Sequence, residues 1–374
     1  MANIQTRVGG SPHVSTLSRY DTLTSPFLER QTPFNAWEAF KLVLLFPLAI
    51  PRLILGVSAV FVLAGMSFIA AHGWPIEKPM PPWRRNMVKA SRHCAGFILL
   101  MLGFHIKVTG WKNVAEARRV RALGLFNHSS WVDAIAMMWL FAPSGVSRAS
   151  NADIPVVGTC IRSFQNIYIP DDKLAREPHK QPASNASPMS NGNMNGDVAG
   201  TGGSVAKPYS QLIQERVDDR RFPMLMMAPE GTCGDNRCIL HFRTGAFVPG
   251  VPVLPVLLKY RFKHHNPSWI IINVGWEFMR LMCQFYNRLD IDILPPYIPS
   301  SVEARNPAFY ARNVREVFST HMGLPQVDQS HVEFKSLERS GVHMSWDGRR
   351  LLAPEGLLQD GRFIDLQPFT KKSK

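Results

Sequence analysis

The sequence predicts an α/β fold: a single domain with a central mixed sheet flanked by helices, preceded by an N-terminal membrane helix or helical hairpin. Three observations carry this expectation. Short apolar, strand-like runs alternate with helix-like runs over residues 110–172 and again over 208–320, which suits one α/β domain rather than two. Two polar segments, Asn127-His128-Ser129-Ser130-Trp131-Val132-Asp133 and Ala228-Pro229-Glu230-Gly231-Thr232-Cys233, each follow an apolar run. That places both at the carboxyl ends of strands, where open α/β sheets gather their functional loops. Finally, Leu53 to Ala71 carries no charge and is long enough to cross a bilayer.

Along the chain, residues 1–35 are polar, rich in Ser and Thr, and read as a disordered N-terminal segment. Residues 36–108 read as a membrane-anchoring helical region. The apolar stretch there runs from Phe40 to Ala71, but Lys41, Pro47, Pro51 and Arg52 interrupt its first part, so a broken or re-entrant helix and a simple span both stay open. A buried core helix is the competing reading of Leu53–Ala71. The stretch starts too far into the chain, and lacks the small-residue cleavage pattern, for an ordinary signal peptide. Ala95–Phe104 is too short to span and reads as a buried or interfacial helix. Arg30, Lys41 and Arg52 precede the clean stretch while Lys78, Arg84, Arg85 and Lys89 follow it, so charge leaves the orientation open.

Residues 109–325 form the α/β domain, interrupted at about 177–207 by a low-complexity stretch rich in Ser, Asn and Gly. Such a stretch buries too little apolar surface to offset its ordering entropy and reads as a disordered surface insertion. Residues 326–374 form a C-terminal tail without an EF-hand loop. It ends Lys371-Lys372-Ser373-Lys374, which resembles the dilysine retrieval signal of endoplasmic reticulum membrane proteins; a solvated basic tail is the alternative.

Hydrophobic residues make up 45% of the chain and the formal net charge is +14. A basic surface suits nucleic acid, anionic lipid headgroups or nucleotide phosphates alike. Nucleic acid is the weaker choice, because no basic helix, finger or aromatic-basic strand motif is present and the apolar stretch would go unexplained. Five scattered cysteines (94, 160, 233, 238 and 283) give no disulfide framework and fit a reducing compartment. Cys233, Cys238 and His241 offer three metal ligands with no second pair at finger spacing, so no metal site is expected.

His128 and Asp133 lie five residues apart, one more than the spacing that stacks side chains on a helix face. A turn entering a helix brings such a pair together, the Asp orienting one ring nitrogen and leaving the other free to take a proton. By itself the spacing is weak, since a chain of this composition holds roughly half an H-x4-D by accident. The second segment changes its weight.

Together the segments resemble the glycerolipid (PlsC-like) acyltransferase superfamily, whose first motif is H-x4-D and whose third is Pro-Glu-Gly-Thr. His128 and Asp133 match the first, and Pro229, Glu230, Gly231 and Thr232 the third. Val251-Pro252-Val253-Leu254-Pro255-Val256 matches the fourth. Cys233 after Thr232, with His241-Phe-Arg-Thr-Gly-Ala-Phe-Val-Pro-Gly250, is similar to the lysophosphatidylcholine and lysophosphatidylethanolamine acyltransferase branch. The resemblance spans about residues 36–325. It departs at the second motif, where Asp171 and Asp172 follow the strand and relatives carry an Arg.

The resemblance implies an acyl-CoA:lysophospholipid acyltransferase. His128 would deprotonate the glycerol hydroxyl, Asp133 would hold its tautomer, and the alcohol would attack the thioester directly. Glu230, Gly231, Thr232 and Cys233, with Arg237 and Arg243 as phosphate partners, would bind the acceptor. Acyl-CoA is then a co-substrate and no bound cofactor is expected. A glycerol-3-phosphate or lysophosphatidic acid acyltransferase is the alternative within the family, and a catalytically silent membrane lipid-binding or scaffold protein the alternative outside it. Ser129 or Ser130 as a hydrolase nucleophile is disfavoured, because no G-x-S-x-G elbow occurs and a Ser adjacent to its own base reaches it badly.

Overall fold

The structure, a computed structural model, describes residues 14–18, 25–27, 34–169, 209–263, 265–270, 274–344 and 350–354. Asp171, Asp172, the insertion at 177–207 and the closing lysines lie outside these residues. In chain order the described elements are β1 (Val14–Ser18), α1 (Ala36–Ala71), α2 (Pro82–Met101), β2 (Phe104–Thr109), α3 (Lys112–Arg119), β3 (Leu123–Phe126), α4 (Val132–Phe141), β4 (Ser144–Arg148), α5 (Val157–Ser163) and β5 (Ile167–Ile169). After the insertion come α6 (Tyr209–Asp218), β6 (Leu225–Met227), β7 (Val253–Arg261), α7 (Val274–Met282), β8 (Asn287–Ile293), α8 (Ser301–Arg305), α9 (Pro307–Met322), α10 (His331–Arg339), β9 (His343–Met344) and β10 (Arg350–Pro354).

Seven strands form the main sheet in the order β2-β8-β7-β3-β6-β4-β5. All neighbours are parallel except β7 and β8, which pair antiparallel from Val256↔Ile293 to Arg261↔Arg288. The sheet is therefore mixed, as the sequence predicts. Its central strands are near-continuous apolar runs because helices cover both faces: Leu123, Leu125, Val253, Leu254, Val256, Leu257 and Leu258 are all fully buried. Pro255 is tolerated in central β7 because its own side of the ladder ends there. Its carbonyl accepts from Leu294 N–H, just past the last β7–β8 pair.

The apolar segment folds as one continuous helix through Pro47 and Pro51, and α2 returns along it as a helical hairpin. Arg84 ties the turn by donating to the carbonyls of Ala70 and His72. The 36 residues of α1 extend about 54 Å at the usual helical rise. Much of its apolar surface is uncovered, with Val43 75% and Phe61 65% exposed, which excludes the core-helix reading. Among the described residues it is the one helix long and apolar enough to cross a membrane.

Its two internal cations face the domain. Lys41 is buried 2.5 Å from both Glu38 and the Gln284 side chain, and Glu38 lies 3.5 Å from buried Arg280 of α7. Arg52 donates to the carbonyls of Met282 and Gln284, a cation at the α7 C-terminus. The charges that break the hydropathy pattern are thus the docking points between the hairpin and the domain.

The N-terminal segment, expected to be disordered, contains two described pieces. β1 pairs antiparallel with β10, which pairs with β9. Phe27 is fully buried, edge-on to Phe334 of α10 at 5.4 Å. Both contacts join opposite ends of the chain, so local composition carries no trace of them. The tail likewise begins in order: α10 opens with a capping box between Ser330 and Glu333.

Glu38→Gln should leave Lys41 and Arg280 short of a buried counter-charge. We expect about 3 kcal/mol of lost stability, seen as a lower thermal midpoint of the detergent-solubilised chain. An unchanged midpoint would show that the cluster adds no net stability.

Candidate active site

β3 and β6 are parallel neighbours, so the loops at their carboxyl ends, 127–131 and 228–233, lie side by side. Asn127 clamps the first loop to β7. Its side-chain amide donates to the Leu258 carbonyl at 3.0 Å and its oxygen accepts from the Leu258 N–H at 2.8 Å. His128 follows, and the chain turns into α4 with Asp133 in the first helical turn.

The turn brings His128 Nδ1 to 2.9 Å from Asp133 Oδ2. Asp133 is 0% exposed, and donors surround its carboxylate. The N–H groups of Ser129 and Ser130 donate to Oδ2 at 2.7 and 2.8 Å, and the Tyr260 hydroxyl donates to Oδ1. The α4 N-terminus adds its own positive field. Burial, with Asp133 beside it, pushes the Tyr260 hydroxyl well above its ordinary value, so it remains a donor. His128 itself is 27% exposed and keeps a route to substrate. Burial alone would lower the imidazole; Cys233 and Asp133 outweigh it and hold His128 well above the usual histidine value.

The second loop is locked to the first. Glu230 Oε2 accepts the His128 N–H at 2.5 Å, and Oε1 accepts the Leu240 N–H at 3.0 Å. Burial raises its carboxyl to about 7 against these donors. Gly234 N–H donates to the His128 carbonyl at 3.0 Å, and Cys233 lies close enough to the His128 ring to raise its pKa. Gly231 has φ +66, and a Cβ there would meet the Arg243 side chain at 3.0 Å, so the arginine lies directly over the glycine.

Arg243 belongs to a cluster of cations. Arg148, the last residue of β4, places Nη2 3.3 Å from Nδ1 and 3.4 Å from Nε2 of buried His331 on α10. Burial, then Arg148, Arg243 and Lys335 nearby, lowers His331 to about 4, so it is neutral near pH 7. The result is a positive rim beside Gly231.

The structure therefore brings His128, Asp133, Glu230 and Cys233 together, with Gly231 under Arg243. Thr232 is buried in the same loop, and Arg237 is set 3.7 Å from fully buried Asp235. Sequence reasoning missed Tyr260, Arg148, His331 and Lys335. A Tyr in an apolar strand reads as packing, and the others converge from separate elements. Arg148 alone left a signal, as a cation at the carboxyl end of a strand-like run.

Paired loops at the carboxyl ends of neighbouring parallel strands thus carry a His–Asp pair braced by a buried Glu. Residues 105–259 match the family model "Acyltransferase", and that segment is a domain of this family. The chain is similar to a lysophosphatidylcholine acyltransferase of Drosophila melanogaster, 31% identical over 84% of this chain and 55% of the relative. It is 26% identical to lysophospholipid acyltransferase LPEAT2 of Arabidopsis thaliana, over 85% of this chain and 54% of that protein. It is also 26% identical to human lysophosphatidylcholine acyltransferase 2, over 87% and 59%. The chain thus spans little more than half the length of these relatives. Among solved structures, the 1-acyl-sn-glycerophosphate (LPA) acyltransferase PlsC from Thermotoga maritima aligns with 73% of this chain and 95% of its own, at 17% identity and a TM-score of 0.44.

The raised histidine has a pH consequence. A His whose folded value lies above its unfolded one adds stability that is full below about pH 6.5 and is lost as pH rises through the folded value. Asp133→Asn removes one cause of the rise. Carbethoxylation of His128, which requires the neutral ring, should begin at lower pH in Asp133→Asn than in the parent chain. Coincident pH profiles would mean that Asp133 does not control the ring.

Proposed function

We propose that this chain is an acyl-CoA:lysophospholipid acyltransferase acting on lysophosphatidylcholine or lysophosphatidylethanolamine. The observation that supports it most is the 2.9 Å His128–Asp133 contact beside a cation-lined glycine loop. Asp133 holds the proton on Nδ1, so Nε2 accepts the proton of the glycerol hydroxyl. The alkoxide oxygen attacks the thioester carbonyl, the tetrahedral adduct collapses, and the C–S bond breaks. The departing CoA thiolate takes the proton back from the imidazolium. No oxidant, metal or bound cofactor enters this balance.

The raised value of His128 works both ways. It strengthens the base but leaves more of the ring protonated near neutrality, so turnover should climb with pH through that value. Arg148 and Arg243 meet the acceptor phosphate with charge-assisted hydrogen bonds, taking over on this side the role that relatives give to an Arg in the second motif. Glu230, with both oxygens on backbone N–H groups, braces the two loops rather than touching the acceptor. Gly231 and Thr232 let the acceptor backbone approach. Arg237, beside Asp235, supports the loop from behind.

Cys233, beside the His128 ring, favours one second reading, in which an acyl-cysteine forms first with loss of CoA and the alcohol then resolves it. A third outcome, a phosphate-monoester acceptor, is decided by substrate choice. The same proposal sets the domain on the cytosolic face of the endoplasmic reticulum membrane, where acyl-CoA is available.

Thiol release from oleoyl-CoA, measured with lysophosphatidylcholine, lysophosphatidylethanolamine, lysophosphatidic acid and glycerol 3-phosphate, tests the proposal. A zwitterionic lysolipid should be the preferred acceptor. His128→Ala should lower its rate about 10²- to 10⁴-fold in folded protein. Release with the phosphate monoesters alone would overturn the headgroup assignment. Cys233→Ala should retain turnover, whereas its loss together with a trapped acyl-enzyme in Cys233-containing protein would establish the acyl-cysteine route. Arg243→Gln should raise the acceptor KM about 10- to 100-fold with little change in the KM for oleoyl-CoA; equal shifts in both would remove Arg243 from the acceptor site.

A further inference from the structure

The opposite end of the sheet holds a second concavity. A cavity of about 340 Å³ opens at the amino ends of β3, β4, β5 and β6, walled by α2, α3 and α6. β3 separates it from His128 by four residues, about 13 Å at the usual strand rise. It shares no lining residue with the His128 site.

Its charge is lopsided. Arg85, Lys89, Arg118, Arg121, Arg216 and Arg220 line it, against the single carboxylate of Asp219. Two of these cations are engaged. Arg121 lies 3.5 Å from Asp218, and Arg216 donates to the carbonyls of Ile76 and Gln165 at 2.9 and 2.5 Å. Among the described residues Lys89, Arg118 and Arg220 make no ion pair, and Arg85 Nε is buried without a hydrogen-bond partner. Arg121 is held at φ 55, in the left-handed region that a side chain rarely adopts, where it turns the chain into β3 along the cavity wall. Like charges converging on a concavity with low-dielectric walls repel one another and focus a positive potential on whatever enters. An anion removes that repulsion.

The remaining wall is apolar: Met80, Val88, Phe141 and Met224. The cavity also lies beside the turn of the membrane hairpin. There Arg84 sits over the rings of Trp83 and Trp74 at 4.7 and 5.4 Å, the aromatic-cationic pairing that marks a headgroup level. The volume is at the small end of ligand pockets, enough for a phosphate and its neighbouring atoms rather than a whole phospholipid.

We propose that this cavity is a second anion site, remote from His128, that takes the phosphate end of an amphiphile at the hairpin turn. The phosphate belongs either to a lipid headgroup or to a nucleotide such as the adenosine bisphosphate end of CoA. The site does not depend on the reading given above for His128.

Calorimetric titration of the full chain in a neutral detergent tests it, with dihexanoylphosphatidic acid and adenosine 3′,5′-bisphosphate as separate probes. Arg148→Gln/Arg243→Gln weakens the acceptor cluster, so binding that survives there reports the second site. We expect at least one probe to bind this variant, and Lys89→Gln/Arg118→Gln added to it to weaken that binding at least tenfold. Both added positions are exposed, so the fold should stand. If the quadruple variant does not fold, Arg220→Gln in the parent chain should weaken one of two binding events by a similar factor. Binding of the lipid probe alone assigns a headgroup, and binding of the nucleotide probe assigns CoA-type phosphate. If neither probe binds the Arg148→Gln/Arg243→Gln variant, or if the added substitutions leave the affinity unchanged, the proposal is overturned.

Discussion

Asp133 is the carboxylate on which the site is built. It is sealed from water, and a polar group in that position needs donors in place of its hydration. Four serve: two backbone N–H groups from the turn before α4, the His128 ring and the Tyr260 hydroxyl. Each donor belongs to something that must be placed. The N–H groups shape the turn, the imidazole is the proposed base, and Tyr260 reports the position of β7. Glu230 repeats the device one strand away, accepting the His128 and Leu240 N–H groups. Two buried carboxylates thus fix one imidazole from its ring and from its backbone, which is the pre-organisation a general base needs.

Much of this was legible in the sequence because it is local. The His128–Asp133 pair needs only a turn and the start of a helix, and the five-residue spacing describes that turn. The placement of both loops also followed, since a polar segment after an apolar strand-like run falls at a carboxyl end of a parallel sheet. The α/β class followed from the alternation of strand-like and helix-like runs, and the membrane helix from the charge-free stretch, whereas the antiparallel β7–β8 pair left no mark in that rhythm. Glu230 shows the limit. Its presence was readable, but its contacts were not, because they run to the backbone of residues 102 positions earlier and ten later.

What remained hidden is convergence. Arg148, Arg243, His331 and Lys335 come from a strand end, a loop and the helix after the domain, and no spacing joins them. Tyr260 could not be told from a packed aromatic. The β1–β10 pairing and the burial of Phe27 join residues more than 300 positions apart, beyond any window of composition. In the two described pieces of the N-terminal 35 residues, pairing and burial are borrowed from the other end of the chain.

The interrupted half of α1 carries a physical argument of its own. A helix of about 54 Å exceeds the roughly 30 Å of a bilayer's hydrocarbon core, so it cannot lie within that core end to end along the normal. Lys41 and Arg52 show where the excess goes. Both are spent on the domain, one in the Glu38–Arg280 cluster and one on the C-terminal carbonyls of α7, so the first turns of α1 are docked to protein. The charge-free half, Leu53–Ala71, is two-sided: Ala59, Leu63, Ser67, Ala70 and Ala71 are buried against the neighbouring helices, Phe61, Val62, Phe68 and Ile69 face outward, and the helix ends at the Trp74–Arg84–Trp83 turn. The two prolines, both exposed, fall in the half that carries Lys41 and Arg52, the latter bonded to the α7 carbonyls. Residues that look like defects in a membrane span therefore add polar ties to the domain beside the apolar packing of α1 on α5, and so help set the span relative to the sheet that carries His128.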